Sequence, residues 1–81
     1  MRLSDSVMPL LDIYKDNEIG ASAFQSADSR LWTPHVTVTE MVTKVRLTVP
    51  NINETFATQK AAEQAGLLTG KKWIDDGKPA P

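Results

Sequence analysis

The chain has 81 residues, of which 41% are hydrophobic and 23% are charged, and it contains no cysteine. This composition excludes a disulfide framework, a thiolate metal site and a cysteine nucleophile, and it leaves room for one small core. Nine basic and ten acidic side chains give a net charge of −1, which excludes the broad positive charge that sequence-independent DNA binding requires. We therefore expect one small domain that buries a modest core and associates with itself.

The N-terminal segment, residues 1–13, is predicted to be a short helix or a docked arm. Val7, Leu10 and Leu11 have helical spacing, but Pro9 interrupts the pattern within its first turns, so both alternatives stay open. The segment lacks the apolar run of a signal peptide, and no stretch of the chain reaches membrane-spanning length. We expect a cytoplasmic location and no membrane partner.

Three strands are predicted next, at residues 19–24, 32–39 and 44–49, because apolar and polar or small side chains alternate in each. Pro34 cannot donate to a ladder, so the second strand begins at a sheet edge or its pairing starts after this residue. Pro50 ends the third strand. The side chains predicted to face the core are Ile19, Ala21, Ala23, Trp32, Val36, Val38, Val45, Leu47 and Val49.

One amphipathic helix is predicted over residues 58–75. Thr58 is placed to cap its N-terminus, and Gly77 with Pro79 marks its far limit. A helical projection puts small and apolar side chains on one arc, which would lie close to a flat sheet. That arc comprises Ala61, Ala62, Ala65, Gly66, Leu68, Thr69 and Trp73, and the opposite side comprises Gln59, Lys60, Glu63, Gln64, Gly70 and Lys71.

The element order predicts an α+β fold with two layers, in which a three-stranded antiparallel sheet is covered on one face by the C-terminal helix. Phe56 would close one end of the core and Trp73 the other. The expected organisation is an N-terminal arm over residues 1–13, a single domain over residues 14–76 and a mobile polar tail over residues 77–81.

Several short motifs between residues 14 and 76 carry a resemblance to a known group. They are Tyr14, Ile19-x-Ala21-x-Ala23-Phe24-Gln25, Trp32-x-Pro34, Phe56-x-Thr58-x-x-x-Ala62, Gly66-x-x-x-Gly70 and Trp73-Ile74-Asp75. With these motifs the chain resembles small uncharacterised bacterial and prophage-encoded proteins, and the resemblance implies a compact α+β unit with no agreed activity. A looser similarity, of element order only, relates it to double-stranded-RNA-binding domains and to small antitoxin domains.

The leading functional hypothesis is a non-enzymatic interaction module that binds a protein partner or a second copy of itself. Leu67 and Ile74 lie seven residues apart on the predicted polar side of the helix, and Lys71 lies between them. An exposed apolar pair of this spacing favours a partner contact, although incidental exposure is an equal alternative.

The alternative hypothesis is a weak single-stranded nucleic-acid or RNA binder that uses the outward face of the sheet. An aromatic ring beside cationic side chains can stack a base and hold a phosphate. The residues predicted to do this are Phe24, His35, Lys44 and Arg46. An ordinary solvated sheet face explains the same pattern and is the more economical interpretation.

Catalysis and metal binding find little support in the sequence. His35 is the sole histidine, and no sharp nucleophile turn lies near it. The acidic side chains are scattered without the spacing of metal ligands. We therefore predict no catalytic residue, no metal and no cofactor.

Overall fold

A computed structural model describes residues 9–50 and 52–79 as four antiparallel strands followed by one helix. The antiparallel sheet and the C-terminal helix are confirmed, but the sheet has four strands instead of the predicted three. The strands are neighbours in chain order, so the sheet is a simple meander. The elements are β1 (Leu10–Tyr14), β2 (Asn17–Gln25), β3 (Trp32–Glu40), β4 (Arg46–Thr48) and α1 (Gln59–Asp75).

Strand β1 lies where the sequence predicts an arm or a short helix. A two-residue turn connects it to β2, and both turn residues have positive φ, 49° at Lys15 and 65° at Asp16. This backbone matches the twist of two antiparallel strands, so the turn pairs Tyr14 directly with Asn17. The Asn17 amide donates to the carbonyls of Tyr14 and Lys15 and holds the turn. The rest of the predicted arm, residues 1–8, lies outside the described residues.

The two central strands, β2 and β3, pair along their full length, from Asn17 with Glu40 to Gln25 with Trp32. Pro34 is buried within β3 and pairs with β2 on one side. On its other side the register with β4 begins only at Thr37, beyond the proline. A residue without an N–H donor therefore sits where no ladder bond is needed.

Strand β4 is shorter than predicted and begins at Arg46. Lys44 belongs to the preceding turn, where its φ of 65° is incompatible with a strand. The Lys44 N–H donates to the Glu40 carbonyl at 2.8 Å and closes that turn. Val45, predicted to face the core, is 48% exposed as a result.

The core lies between one face of the sheet and α1. Its fully buried large side chains are Ile19, Val36 and Val38, all of which the sequence assigns to the core. Thr58 caps the helix as predicted, because its hydroxyl accepts the Ala61 N–H at 3.1 Å. Trp73 packs against the core from the other end of the helix.

The helix presents a different face to the sheet from the predicted one. Its buried residues are Ala62, Glu63, Gly66 and Gly70, so Glu63 and Gly70 lie on the sheet side instead of the solvent side. Leu68, predicted to face the sheet, is 67% exposed. The actual contact face is turned by roughly 100° from the predicted arc, which is about one residue position.

The residues after α1 contact the sheet where β2 begins and β3 ends. Lys78 Nζ donates to Asn17 Oδ1 at 2.9 Å and to Glu40 Oε2 at 2.7 Å. The Trp73 indole donates to the Pro79 carbonyl at 3.0 Å. Residues 77–79, predicted to be a mobile tail, therefore contact both β2 and β3.

Candidate interaction surface

Among residues 9–50 and 52–79, helix α1 covers one face of the sheet and no element covers the other. In the antiparallel register, directly paired residues point to the same side, so the side opposite α1 follows from the pairing. We call this side the open face. It comprises Leu11, Ile13, Glu18, Gly20, Ser22, Phe24, Thr33, His35, Thr37, Thr39, Arg46 and Thr48.

Three large apolar side chains interrupt the otherwise polar open face. Leu11 is 60% exposed, Ile13 is 55% exposed and Phe24 is 57% exposed. Leu11 and Ile13 are two residues apart on β1, so they form an aliphatic border along one side of the face. A one-sided antiparallel sheet normally carries polar side chains toward water, and this border departs from that rule.

A shallow cleft of about 210 Å³ lies in the middle of the open face. Gly20 forms part of its floor, since a methyl group there would lie 3.2 Å from Thr37 Oγ1 and 3.5 Å from Leu11 Cδ2. His35 and Arg46 line the cleft on the β3 and β4 side. Small floor residues therefore leave a depression that a side chain from another molecule can enter.

The charges of the open face nearly cancel. Glu18 and Arg46 are both exposed and belong to one row across the sheet, because each pairs with Thr39. Within the described ranges, neither forms an ion pair, since the four ion pairs there all involve other residues. The face thus carries one unpaired acid and one unpaired base at a fixed relative position.

The outer edge of β1 is closed by Asp12. Its carboxylate accepts the Ile13 N–H at 2.9 Å and pairs with Lys71 Nζ at 2.9 Å. The Lys71 hydrogen bond and then the Ile13 N–H hold the pKa of Asp12 below its usual value. An edge donor that is already bonded does not attract another strand, so the edge is protected at Ile13.

A second polar cluster joins β1 to the end of α1. The Tyr14 hydroxyl donates to both carboxylate oxygens of Asp75, at 3.0 and 2.9 Å, and Lys15 Nζ lies 2.6 Å from one of them. The Lys15 and Tyr14 hydrogen bonds lower the pKa of Asp75, and the Asp75 carboxylate raises the pKa of Lys15. The cluster fastens the helix end to the first hairpin.

A third group of charges lines a cleft of about 220 Å³. The cleft lies between the β1–β2 turn and the β3–β4 turn, beside Lys15, Asp16 and Val42. Lys78 spans it through its bonds to Asn17 and Glu40. The Lys78 hydrogen bond, followed by that of Thr43, lowers the pKa of Glu40. These polar groups satisfy one another, and they attach the C-terminal residues.

The residues predicted to bind a partner do not form an exposed seam. Leu67 and Ile74 are half-buried and pack against the core, since the rotated helix turns them toward the sheet. Lys71 is engaged with Asp12 and lies 5.8 Å from the centre of the Tyr14 ring. Partner binding by these three residues stays a prediction, but the exposed apolar pair on which it depends is not present in the described structure.

The residues predicted for nucleic-acid binding are brought together in part. Phe24, His35 and Arg46 share the open face, whereas Lys44 lies in the β3–β4 turn. Sequence reasoning missed Leu11 and Ile13, because it assigned their segment to an arm or a short helix. Residues 10–14 read Leu-Leu-Asp-Ile-Tyr and do not alternate clearly between apolar and polar side chains, so periodicity gives little signal for this strand.

Over residues 9–50 and 52–79, no group of three or more His, Cys, Asp and Glu side chains is arranged to hold a metal ion. In the same part of the chain, the helix is too short and too polar to cross a membrane. Comparison with known protein families, with curated proteins and with solved structures finds no match to this chain.

Proposed function

We propose that the chain is a non-enzymatic interaction module whose open face binds another protein molecule. The observation that carries this proposal is the exposure of Leu11, Ile13 and Phe24 on the side of the sheet that α1 leaves uncovered. Covering apolar surface is favourable by about 25 cal/mol per Å², so these side chains are the strongest source of binding free energy on this face.

The layout of the open face suits a protein better than a small ligand. The central cleft is shallow, and the apolar groups stand around it, with Leu11 and Ile13 on one side and Phe24 at one end. A broad surface with apolar anchors and small polar residues between them is typical of protein interfaces.

A second candidate is binding of single-stranded nucleic acid on the same face. The observation in its favour is that Phe24, His35 and Arg46 share one surface, where a base can stack and a phosphate can bind. Glu18 lies in the same row as Arg46 and opposes a phosphate backbone. With a net charge of −1, the chain also lacks the long-range attraction that such binders use.

The proposal is tested by photo-crosslinking from the open face. A benzoylphenylalanine introduced at Phe24 in the cells that naturally make the protein should yield discrete protein adducts, identified by mass spectrometry. The matched control carries the same group at Leu68, which is 67% exposed on the helix. We expect adducts from Phe24 alone, and we expect Leu11→Glu to remove them.

Equal adducts from both positions, or none from Phe24, would contradict the proposal. Adducts that nuclease treatment removes would instead identify the second candidate. Because both labelled positions are exposed in the isolated chain, the label is accommodated in either case without disturbing the core.

A further inference from the structure

We propose that the molecule covering the open face is a second copy of this chain, related by a twofold axis that runs along the strands between β2 and β3. In this arrangement Glu18 of each copy pairs with Arg46 of the other. This inference rests on the proposed interaction function and specifies the partner.

The meander order makes the open face self-complementary about such an axis. The axis lies between the two central strands, so it places β2 of one copy over β3 of the other, and β1 over β4. Each cross-strand row stays at its own level along the strands. Two sheets packed in this way keep their strands nearly aligned at a separation of about 10 Å.

The charged row shows the complementarity directly. It runs from Ile13 through Glu18 and Thr39 to Arg46. After the twofold rotation, Glu18 of the first copy lies over Thr39 of the second copy. Arg46 of the second copy lies over Ile13 of the first, one strand spacing of about 4.8 Å to the side of Glu18. The long arginine side chain can cross that sideways spacing while its methylenes cover Ile13. Two equivalent ion pairs result. The two Glu18 carboxylates also stand one strand spacing apart, and each has Arg46 of the other copy on its outer side.

The same rotation brings the two Phe24 side chains together. Phe24 lies on β2 and pairs with Thr33, so its counterpart faces Thr33 and stands one strand spacing away. Offset aromatic pairs at such separations are favourable beyond the area that they bury. Gly20, whose lack of a side chain lowers the middle of the face, lets the sheets approach there.

The size of the face is sufficient for a reversible dimer. The two central strands have nine residues each and the outer strands are shorter. At about 3.3 Å per residue and about 4.8 Å per strand, the projected area is on the order of 400 Å² per copy. Interdigitated side chains bury more than the projected area, so the total reaches roughly 1,000 Å², the lower end of specific interfaces. We therefore expect a dimer that dissociates on dilution.

Other faces of the described structure offer less. The edge of β1 is occupied by the Asp12 carboxylate, which takes the outward N–H of Ile13. On the helix, Leu67 and Ile74 are half-buried and already pack against the core. The cleft beside Lys78 is lined by polar groups that already bond to one another, since Lys78 donates to Asn17 and Glu40.

Charge reversal tests the arrangement. Sedimentation velocity over a concentration series gives the dimer dissociation constant of the unmodified protein and of three variants, Glu18→Arg, Arg46→Glu and the combined double variant. Each single change should raise the dissociation constant at least about tenfold, because it sets like charges opposite each other. The double variant should return to within about threefold of the starting value. Lys60→Glu, on the exposed side of the helix, is the control and should have little effect.

A protein that stays monomeric at millimolar concentration would overturn the inference, and so would a double variant as weak as the single ones. Titration with a fluorescent oligonucleotide tests the second candidate separately. Binding that Glu18→Arg strengthens and Arg46→Glu weakens would assign the face to nucleic acid.

A further variant, Phe24→Ser, leaves the charges unchanged and should also weaken the dimer. Circular dichroism confirms that each variant is folded. Photo-crosslinking to a different protein would retain the proposed function while excluding the second copy.

Discussion

Gly70 lies directly over Ile19, so closely that a methyl group added to Gly70 would lie 2.8 Å from Ile19 Cγ2. A β-carbon is essentially never found that near another carbon, so the helix can occupy its position only without a side chain there. Gly66 makes a similar approach one turn earlier, where an added methyl group would lie 3.0 Å from Val36 Cγ2. The two glycines set the distance between the two layers of the fold.

Gly70→Ala is therefore expected to destabilise the protein, although alanine is the better helix former. The gain in helix propensity is about 1 kcal/mol, whereas overpacking a well-filled core costs about 1 to 3 kcal/mol. The measurement is the free energy of unfolding from urea denaturation. Leu68→Ala, two residues away on the exposed side, is the control and should change it by less than about 0.5 kcal/mol. A more stable Gly70→Ala variant would show that the helix lies further from the sheet.

Thr58→Ala should reduce the free energy of unfolding by about 1 kcal/mol, because the Ala61 N–H loses its hydroxyl acceptor at the start of α1. Thr55→Ala, at an exposed position before the helix, serves as the comparison and should have a smaller effect. Equal losses from both changes would argue against the cap. Thermal denaturation followed by helical circular dichroism measures both.

Acid should weaken the fold partly through Asp75. Its pKa is lowered in the folded chain by Lys15 and Tyr14, so the unfolded chain binds the proton more readily. The stabilisation is fully present above the ordinary carboxyl pKa of 3.8 and is lost as the pH falls through the lowered folded value. Denaturation midpoints measured between about pH 2 and pH 6 should thus fall less steeply for Asp75→Asn. Asp28→Asn, in an exposed loop, should retain the slope of the original protein, and an unchanged slope for Asp75→Asn would refute the assignment.

Asp12→Ala is expected to make β1 an edge strand that pairs with strands of other molecules. The change frees the Ile13 N–H beside the exposed Leu11 and Ile13 side chains, and an aliphatic edge with free donors recruits further strands. Light scattering should detect assemblies larger than a dimer. Asp28→Ala removes the same charge far from the edge and should not produce them. If both variants behave alike, the effect comes from net charge, and the edge is not protected by Asp12.

Much of the fold follows from local signals in the sequence. Thr58 and the alternation around Val36 identify a capped helix and a core strand, because these depend on neighbouring residues only. The pairing of β1 depends on the turn at Lys15 and Asp16, which contains no glycine to announce its positive φ. The helical spacing of Leu10 with its neighbours then competes with the strand, and Pro9 does not decide between them.

The orientation of the helix required knowledge of the sheet. Small residues occupy two overlapping arcs, one centred between Ala65 and Thr69 and the other between Gly66 and Gly70. Helical periodicity alone does not decide which arc faces the sheet. The side chains of Ile19 and Val36 decide which arc faces the sheet, because they project into the space that the glycines leave. The same arc turns Leu67 partly toward the core, whereas Leu11, Ile13 and Phe24 stay exposed on the open face.

The most direct test of this account is the solvent accessibility of Leu11 and Ile13 methyl groups at low and high protein concentration. A soluble gadolinium chelate relaxes exposed methyl groups, and the Leu68 methyls on the helix provide an internal reference. The account predicts that Leu11 and Ile13 become protected as concentration rises while Leu68 stays accessible. Protection of Leu68 with Leu11 and Ile13 still exposed would contradict it.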